Sequence, residues 1–308
     1  MTTMTTHALN SSSSPTNVPE LESLDHVACN YDVILIDVWG VIHNGIAPFP
    51  DAIKAYASLK AQGKTLVILS NAPRLPNVTR KRLSEMGIDD TLFDDVFTSG
   101  IECHMALRDR ADDFYKRLGK RLFHIGPERD RTVFEGLPYT QVNTVTDADF
   151  MIITGTDGWE KDANAYADRL AIAKKKNMPV ICANADKIVT IGDQLVICAG
   201  AIADAYIALF SKEEQAHLPL RIHGKPNTSL FKAAHELANV RRGDYVPLSR
   251  VLMLGDSLAT DIRGACRYGI DSVFTLSGVH RDHTVAEQAT LMNFYGAKPT
   301  YIMSQGIR

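Results

Sequence analysis

The sequence contains no apolar run long enough to cross a bilayer, which takes about 20 predominantly apolar residues, so no membrane partner is expected. It also lacks an excess of positive charge. The 33 Lys and Arg are outnumbered by 36 Asp and Glu, for a formal net charge of −3, which removes the electrostatic footprint of a nucleic-acid binder. Cysteine is scarce: Cys29, Cys103, Cys182, Cys198 and Cys266 are odd in number, widely spaced and form no C-x-x-C pair. That disfavours a disulfide framework or a zinc site and suits buried thiols in a reducing cytoplasm. Residues 1–18 have neither a basic start nor an apolar stretch, and their Ser/Thr-rich composition reads as a disordered tail rather than a secretion signal. No G-x-x-x-x-G-K-[ST] pattern and no fixed-period repeat occurs, which argues against a P-loop and a solenoid.

What is there is an alternation of short apolar runs with helix-period stretches, the pattern of an α/β protein with a parallel sheet. Strands are expected at 33–36, 65–69, 220–223, 251–254 and 272–276, with helices near 51–62, 77–86, 228–240 and 261–268. The middle carries further strands at 121–125, 150–153 and 180–183 and a helix over 163–176. The expected fold is a Rossmann-like parallel-sheet core with an inserted α/β cap domain. Residues 19–97 and 222–308 form the core and 98–221 the insert.

The chemistry-bearing residues sit where strands end. The run Val33-Ile34-Leu35-Ile36 stops at Asp37, and the carboxyl ends of parallel strands are where such sheets bind ligands. A carboxylate there is costly to bury without a cation or donors, although an ordinary turn-capping aspartate is the simpler reading of it alone. Ser70-Asn71 follows the second strand and can donate to an oxyanion or cap a turn. His223-Gly224-Lys225-Pro226 leads into a helix, with Lys225 a point charge suited to phosphate. The run Val251–Leu254 delivers Asp256, and Asp261 follows five residues later at a helix start, where an N-cap is the alternative. Like charges brought together need a cation, and carboxylate oxygens with no His or Cys cluster favour Mg²⁺.

Each cluster alone is weak, but the order Asp, Ser, Lys, Asp…Asp resembles the haloacid dehalogenase (HAD) superfamily of aspartate-nucleophile hydrolases, whose four motifs match at Asp37, Ser70, Lys225 and Asp256/Asp261. Ser70 and Lys225 are far enough apart to hold an inserted domain between them. A cap at that point resembles the branch of p-nitrophenyl phosphatase-like and sugar-phosphate phosphatases. The resemblance implies that Asp37 attacks phosphorus and forms an aspartyl-phosphate, with Lys225, Ser70 and Asn71 around the phosphate. It implies Mg²⁺ held by Asp37, the backbone carbonyl of Trp39, Asp256 and Asp261. It also implies a small phosphorylated metabolite as partner, Asn184 and Asp186 as cap residues facing it, and a homodimer formed through the cap.

One position departs from the family's phosphatases. Where they keep a second aspartate as acid and base, two residues after the nucleophile, this chain has Trp39. Phosphate binding is therefore expected to survive better than turnover, unless another acid such as His43 substitutes. A non-phosphatase hydrolase and a weak or inactive phosphate-ligand binder are the alternatives. Gly200, Trp159 and Lys174–Lys176 read as packing or solvated positions, and His235-Glu236 as a solvated helix face without zinc-binding spacing.

Overall fold

Strand β1 (Val33–Ile36) is buried on both faces, which is why its sequence is a continuous apolar run rather than an alternation. In the computed structural model, residues 18–308 are described except 159 and 193. Residues 1–17 of the expected tail, and Trp159, therefore lie outside the described residues. Around β1 runs a six-stranded sheet in the order β13-β12-β11-β1-β2-β3, parallel throughout. Its other strands are β2 (Thr65–Ser70), β3 (Asp95–Thr98), β11 (Val251–Gly255), β12 (Asp271–Thr275) and β13 (Tyr301–Met303). Helices α1 (Pro50–Ala61) and α2 (Pro76–Glu85) connect β1, β2 and β3. Both helices begin with proline, whose missing N–H costs nothing in a first turn.

The stretch between β3 and α8 (Thr228–Arg242) builds a second parallel sheet, in the order β10-β7-β6-β4-β5. Its strands are β4 (Arg121–Ile125), β5 (Thr140–Gln141), β6 (Phe150–Ile153), β7 (Val180–Cys182) and β10 (Leu220–Ile222). Helices α3 (Ser99–Asp109), α4 (Asp113–Lys116), α5 (Ala167–Lys175), α6 (Ala199–Ala208) and α7 (Lys212–Gln215) accompany it. Between β7 and α6 an antiparallel hairpin, β8 (Ile188–Ile191) with β9 (Gln194–Ile197), stands apart from both sheets. The chain ends through α9 (Arg263–Tyr268), α10 (Val285–Tyr295) and β13. Each main sheet has apolar clusters on both faces.

Two expectations shift. Thr98 pairs with Ser70 in the first sheet and Ile222 with Cys182 in the second, so a cut at 97/98 and 221/222 passes through the strands at both crossings. His235 is not on a solvated face. It is buried, with Nδ1 on the Tyr268 hydroxyl at 3.0 Å and Nε2 on the Val246 carbonyl at 2.8 Å.

The two chain crossings between the sheets are fastened to each other by Glu102 of α3. Its carboxylate accepts from Gly224 N (3.1 Å) and Ser229 Oγ (2.6 Å) and meets His223 Nδ1 at 3.0 Å. Burial pushes this carboxyl up, but the bonds from His223, Ser229 and Gly224 outweigh it and hold the group below the usual range. Glu102→Leu is expected to lower the urea-derived unfolding free energy by about 1–3 kcal/mol, because it strands these donors, while Glu102→Gln keeps an acceptor and most of the stability. Equal midpoints for the wild type and Glu102→Leu would show that the fastening contributes nothing.

Candidate active site

β1 and β11 are neighbours, and from this pair the connections run outward in opposite directions, to β2 and β3 on one side and to β12 and β13 on the other. That reversal opens a crevice at the carboxyl ends of the two central strands. The register Ile36 to Leu254 and the bond from Asp37 N to Leu254 O (2.9 Å) bring Asp37 beside the Gly255-Asp256 end of β11. Asp261 joins them from a π-helical turn over Leu258–Ile262, wholly buried, with Oδ2 accepting from Ser257 N at 3.1 Å. Such turns recur where a helix must present a functional side chain. Asp37, Asp256 and Asp261 thus offer carboxylate oxygens that all lie within 4.8 Å of one another.

Lys225 supplies the charge between them. Its ammonium lies 2.6 Å from Asp37 Oδ1 and 2.6 Å from Asp261 Oδ1, and donates to Leu69 O at 2.9 Å. Asn71 holds the lysine's backbone from both sides: Oδ1 accepts from Lys225 N (2.7 Å) and Nδ2 donates to Lys225 O (3.1 Å). Gly224, at φ +104°, is required here, because a Cβ would overlap the Asn71 side chain. Asn71 is therefore a brace for the lysine. Ser70 is buried at the end of β2, its hydroxyl accepting from Ala72 N at 3.2 Å.

Burial dominates the electrostatics. It pushes Asp37 up to about 6, with Asp261 adding to the rise and Lys225 opposing it. Asp256 is raised well above the ordinary 3.8 by burial and then by Asp37 and Asp261, and Asp261 is raised by burial too. Burial alone would lower Lys225, but Asp261, Asp37 and Asp186 outweigh it and raise the ammonium's pKa. Lys225 keeps its proton.

The second sheet reaches this cluster through the loop after β7. Asp186 Oδ1 accepts from Asn71 Nδ2 at 2.8 Å, and burial pushes its carboxyl up to about 6 against the pull of Lys225. Asn184 touches the site only through Asp186, whose backbone N–H its Oδ1 accepts at 2.8 Å. Gly200 fixes the other side of that loop: its N–H donates to Asp186 O at 2.9 Å, and a Cβ would strike the Ala185 and Asp186 carbonyls.

Trp39 packs within its own loop. Its indole lies on Gly45 and meets the His43 ring edge-on, with centroids 4.9 Å apart. His43 is buried, accepts from Gly45 N through Nδ1 (2.9 Å), and is pushed down to about 4 by burial and by Arg82. It is neutral near pH 7 and serves to hold the loop, so it does not replace the missing acid. The hairpin tip closes over this loop: Gly192 N donates to Asn44 O at 3.0 Å, and Arg281 Nη1 donates to Gly192 O at 3.2 Å.

Arg74, Glu102 and the hairpin escaped the sequence reading. Arg74 pairs with buried Asp130 of the second unit, Nε to Oδ1 at 3.1 Å. A lone arginine four residues after Ser70 carries no spacing signal. Two short runs rich in β-branched residues, 188–191 and 194–197, split by the turn pair Gly192-Asp193, were the available sign of the hairpin.

The raised carboxyls set a pH dependence. Asp37 moves from 3.8 to about 6 on folding, so in that window the folded chain holds protons that the unfolded chain has released. Raising the pH through it therefore removes stability. In chelator-treated protein the melting temperature should fall between about pH 4 and 7, and a divalent cation should raise it more at about pH 7.5 than at about pH 5. A cation-induced shift of the same size at both values would argue that these carboxylates are not the ligands.

The relatives fit this geometry. Residues 34–140 match the family described as haloacid dehalogenase-like hydrolase, and residues 222–305 match HAD-hydrolase-like. A haloacid dehalogenase-like family hydrolase from Brucella suis 1330 is 31% identical, with a TM-score of 0.80, over 94% of this chain and 100% of that one. The D-glycerol 3-phosphate phosphatase of Mycobacterium tuberculosis is 26% identical over 281 residues, 90% of this chain and 70% of that protein. A glycerol phosphate phosphatase from Mycobacterium tuberculosis, solved in complex with magnesium, matches at 24% identity and a TM-score of 0.61, over 91% of this chain and 79% of that one. An aspartate cluster at the switch point of a parallel sheet, a second α/β unit set into the chain, and these matches identify one lineage: the chain belongs to the haloacid dehalogenase-like hydrolases and is an enzyme of that family.

Proposed function

We propose that the chain is a Mg²⁺-dependent phosphatase of a small phosphorylated metabolite, working through an aspartyl-phosphate on Asp37. The observation that carries this reading is the buried group of Asp37, Asp256 and Asp261 gathered around Lys225. A carboxylate is a usable nucleophile once ionised, and dividing the displacement into two steps is what covalent catalysis provides. Attack by an Asp37 oxygen forms the acyl phosphate and releases the alcohol. Water then returns the carboxylate and frees inorganic phosphate. Lys225, fixed by Asn71 and Leu69 O, is poised to neutralise phosphoryl oxygens as charge redistributes, with the Ser70 hydroxyl and Asn71 beside it.

The donor set fits a hard divalent ion. Three ionised carboxylates within 4.8 Å would carry more negative charge than one ammonium offsets, and Asp256 is driven well above its ordinary range by burial and then by the other two. Asp37, Asp256, Asp261 and the Trp39 carbonyl would hold Mg²⁺, as oxygen ligands with water completing the shell. The ion would offset repulsion between the anionic nucleophile and the anionic ester. Magnesium in the mycobacterial glycerol phosphate phosphatase supports the same choice here.

For the substrate, we read a polar, hydroxylated phosphate monoester of the sugar or polyol class. Asp186 and Asn184 stand on the second unit facing the core loop at Asn71, and a relative acts on D-glycerol 3-phosphate. One observation favours a second reading, a phosphate-ester binder with little turnover: Trp39 packs on Gly45 and His43 where an acid is needed.

The readings separate in a simple assay. p-Nitrophenyl phosphate with Mg²⁺ should be hydrolysed, and activity should vanish with Asp37→Asn or with excess chelator. Tight binding of phosphate esters without product, in the wild type, would establish the binder instead.

A further inference from the structure

We propose that Asp186 is the general acid and base of this enzyme, supplied by the second α/β unit in place of the carboxylate that Trp39 displaces. The inference rests on the phosphatase reading above and adds the residue that moves the proton.

The groups around Asp37 leave few alternatives. The Lys225 ammonium is held charged by Asp261 and Asp37, so it serves as a counter-charge and not as a proton donor. The second oxygen of Asp256 accepts from Val279 N at 2.8 Å, and Asp261 is sealed beneath the π-helical turn with no solvent exposure. His43 is buried and already accepts from Gly45 N. Tyr56 is buried with its hydroxyl on Val41 O.

Asp186 differs from all of these. It comes from the opposite sheet, so it approaches from across the crevice rather than from the nucleophile's own strands. Only one of its oxygens is committed, Oδ1 to Asn71 Nδ2 at 2.8 Å. The other makes no hydrogen bond among the described residues, and the side chain is half-buried rather than sealed. Its backbone is held at both ends, by Asn184 Oδ1 and by Gly200 N, the support a proton-transfer group needs to keep its geometry. A carboxyl pushed up to about 6 also holds its proton closer to neutrality than an ordinary aspartate does.

The proton balance closes. As Asp37 bonds to phosphorus and the ester P–O bond breaks, the Asp186 carboxyl gives its proton to the departing oxygen and the alcohol leaves neutral. In the second step a water attacks the phosphorus of the aspartyl-phosphate and its proton passes to the Asp186 carboxylate. Asp37 is freed as a carboxylate, phosphate departs, and Asp186 is again protonated.

The test is the dependence of kcat/KM on leaving group, since that constant stops at departure of the alcohol. Ring-substituted phenyl phosphates share a shape and differ in phenol acidity, and D-glycerol 3-phosphate extends the series to an alkyl ester. In Asp186→Asn the loss of kcat/KM should be smallest for p-nitrophenyl phosphate and should deepen with leaving-group basicity to about 10²–10⁴-fold for the alkyl ester. Trp39→Asp in the Asp186→Asn background should restore the basic leaving groups, because it returns a carboxylate to the first-strand loop. An equal loss across the series, or none, overturns the assignment and leaves Asp186 a binding or packing residue. Absence of p-nitrophenyl phosphate turnover in the wild type overturns the phosphatase reading itself, and the assignment with it.

Discussion

The Lys225 ammonium, 2.6 Å from both Asp37 and Asp261, is the counter-charge on which the crevice depends. β-sheet pairing, not attraction, brings the carboxylates together: the register of β1 with β11 leaves Asp37 and Asp256 at adjacent strand ends. Two like charges about 4 Å apart repel by ~4 kcal/mol at an effective dielectric of 20, so three within one small volume strain the fold unless cations offset them. Lysine offsets part of this, and burial together with the remaining repulsion raises the carboxyl pKa values. That residue of unbalanced charge ties the fold to its chemistry. Asp37 near 6 is less fully ionised than an ordinary aspartate at the same pH. A bound dication would favour its ionised form and complete the charge balance.

Fixing the lysine then becomes the task of much of the surrounding chain. Asn71 clamps its peptide, Gly224 yields room for the Asn71 side chain, and Glu102 holds Gly224 and His223 in turn. These residues come from β2's end, from the crossing into the second unit, and from the crossing out of it. The position of one ammonium thus depends on both chain crossings being seated. The contacts between the units near the site include polar ones: Asn71 to Asp186, Arg74 to Asp130, Leu75 N to Thr132 Oγ1, and Gly192 to Asn44. Their directionality registers the second unit over the crevice.

Buried central strands were legible in the sequence because both faces demand apolar residues, which makes β1, β2 and β11 stand out and marks the polar residue at each end. The ordered set Asp37, Ser70, Lys225, Asp256, Asp261 was readable for the same reason. The shortest edge strand and the hairpin were not: Thr140 and Gln141 of β5 are exposed, and among the described residues β8 and β9 pair with each other alone. His235 was misread because its partners, Tyr268 and the Val246 carbonyl, lie far along the chain. Glu102 and Arg74 gave no signal, since their roles come from residues that only folding brings near. The strand cuts at Thr98 and Ile222 show the same limit, as a boundary drawn by composition cannot see which sheet takes the last residue.

Trp39 changes what the first loop can be. In place of a side chain aimed at the reacting group, the loop has one that packs on Gly45 and His43, with Gly40 N bonded to His43 O at 2.9 Å and Ile42 N to Val38 O at 2.9 Å. These contacts and bonds hold the loop, which has no ionisable group at residue 39. A backbone carbonyl there does not depend on the side chain attached, so the proposed metal role would tolerate tryptophan. Proton transfer does not. Any acid must then come from outside the loop, and the second unit is the element that overhangs it, through Asp186 at Asn71 and the hairpin tip at Asn44. Such a division would leave nucleophile and cation to the first sheet and give proton transfer to the element proposed to meet the leaving group. Chemistry and substrate choice would then be joined in one loop, residues 183–187, and a change there would alter both at once.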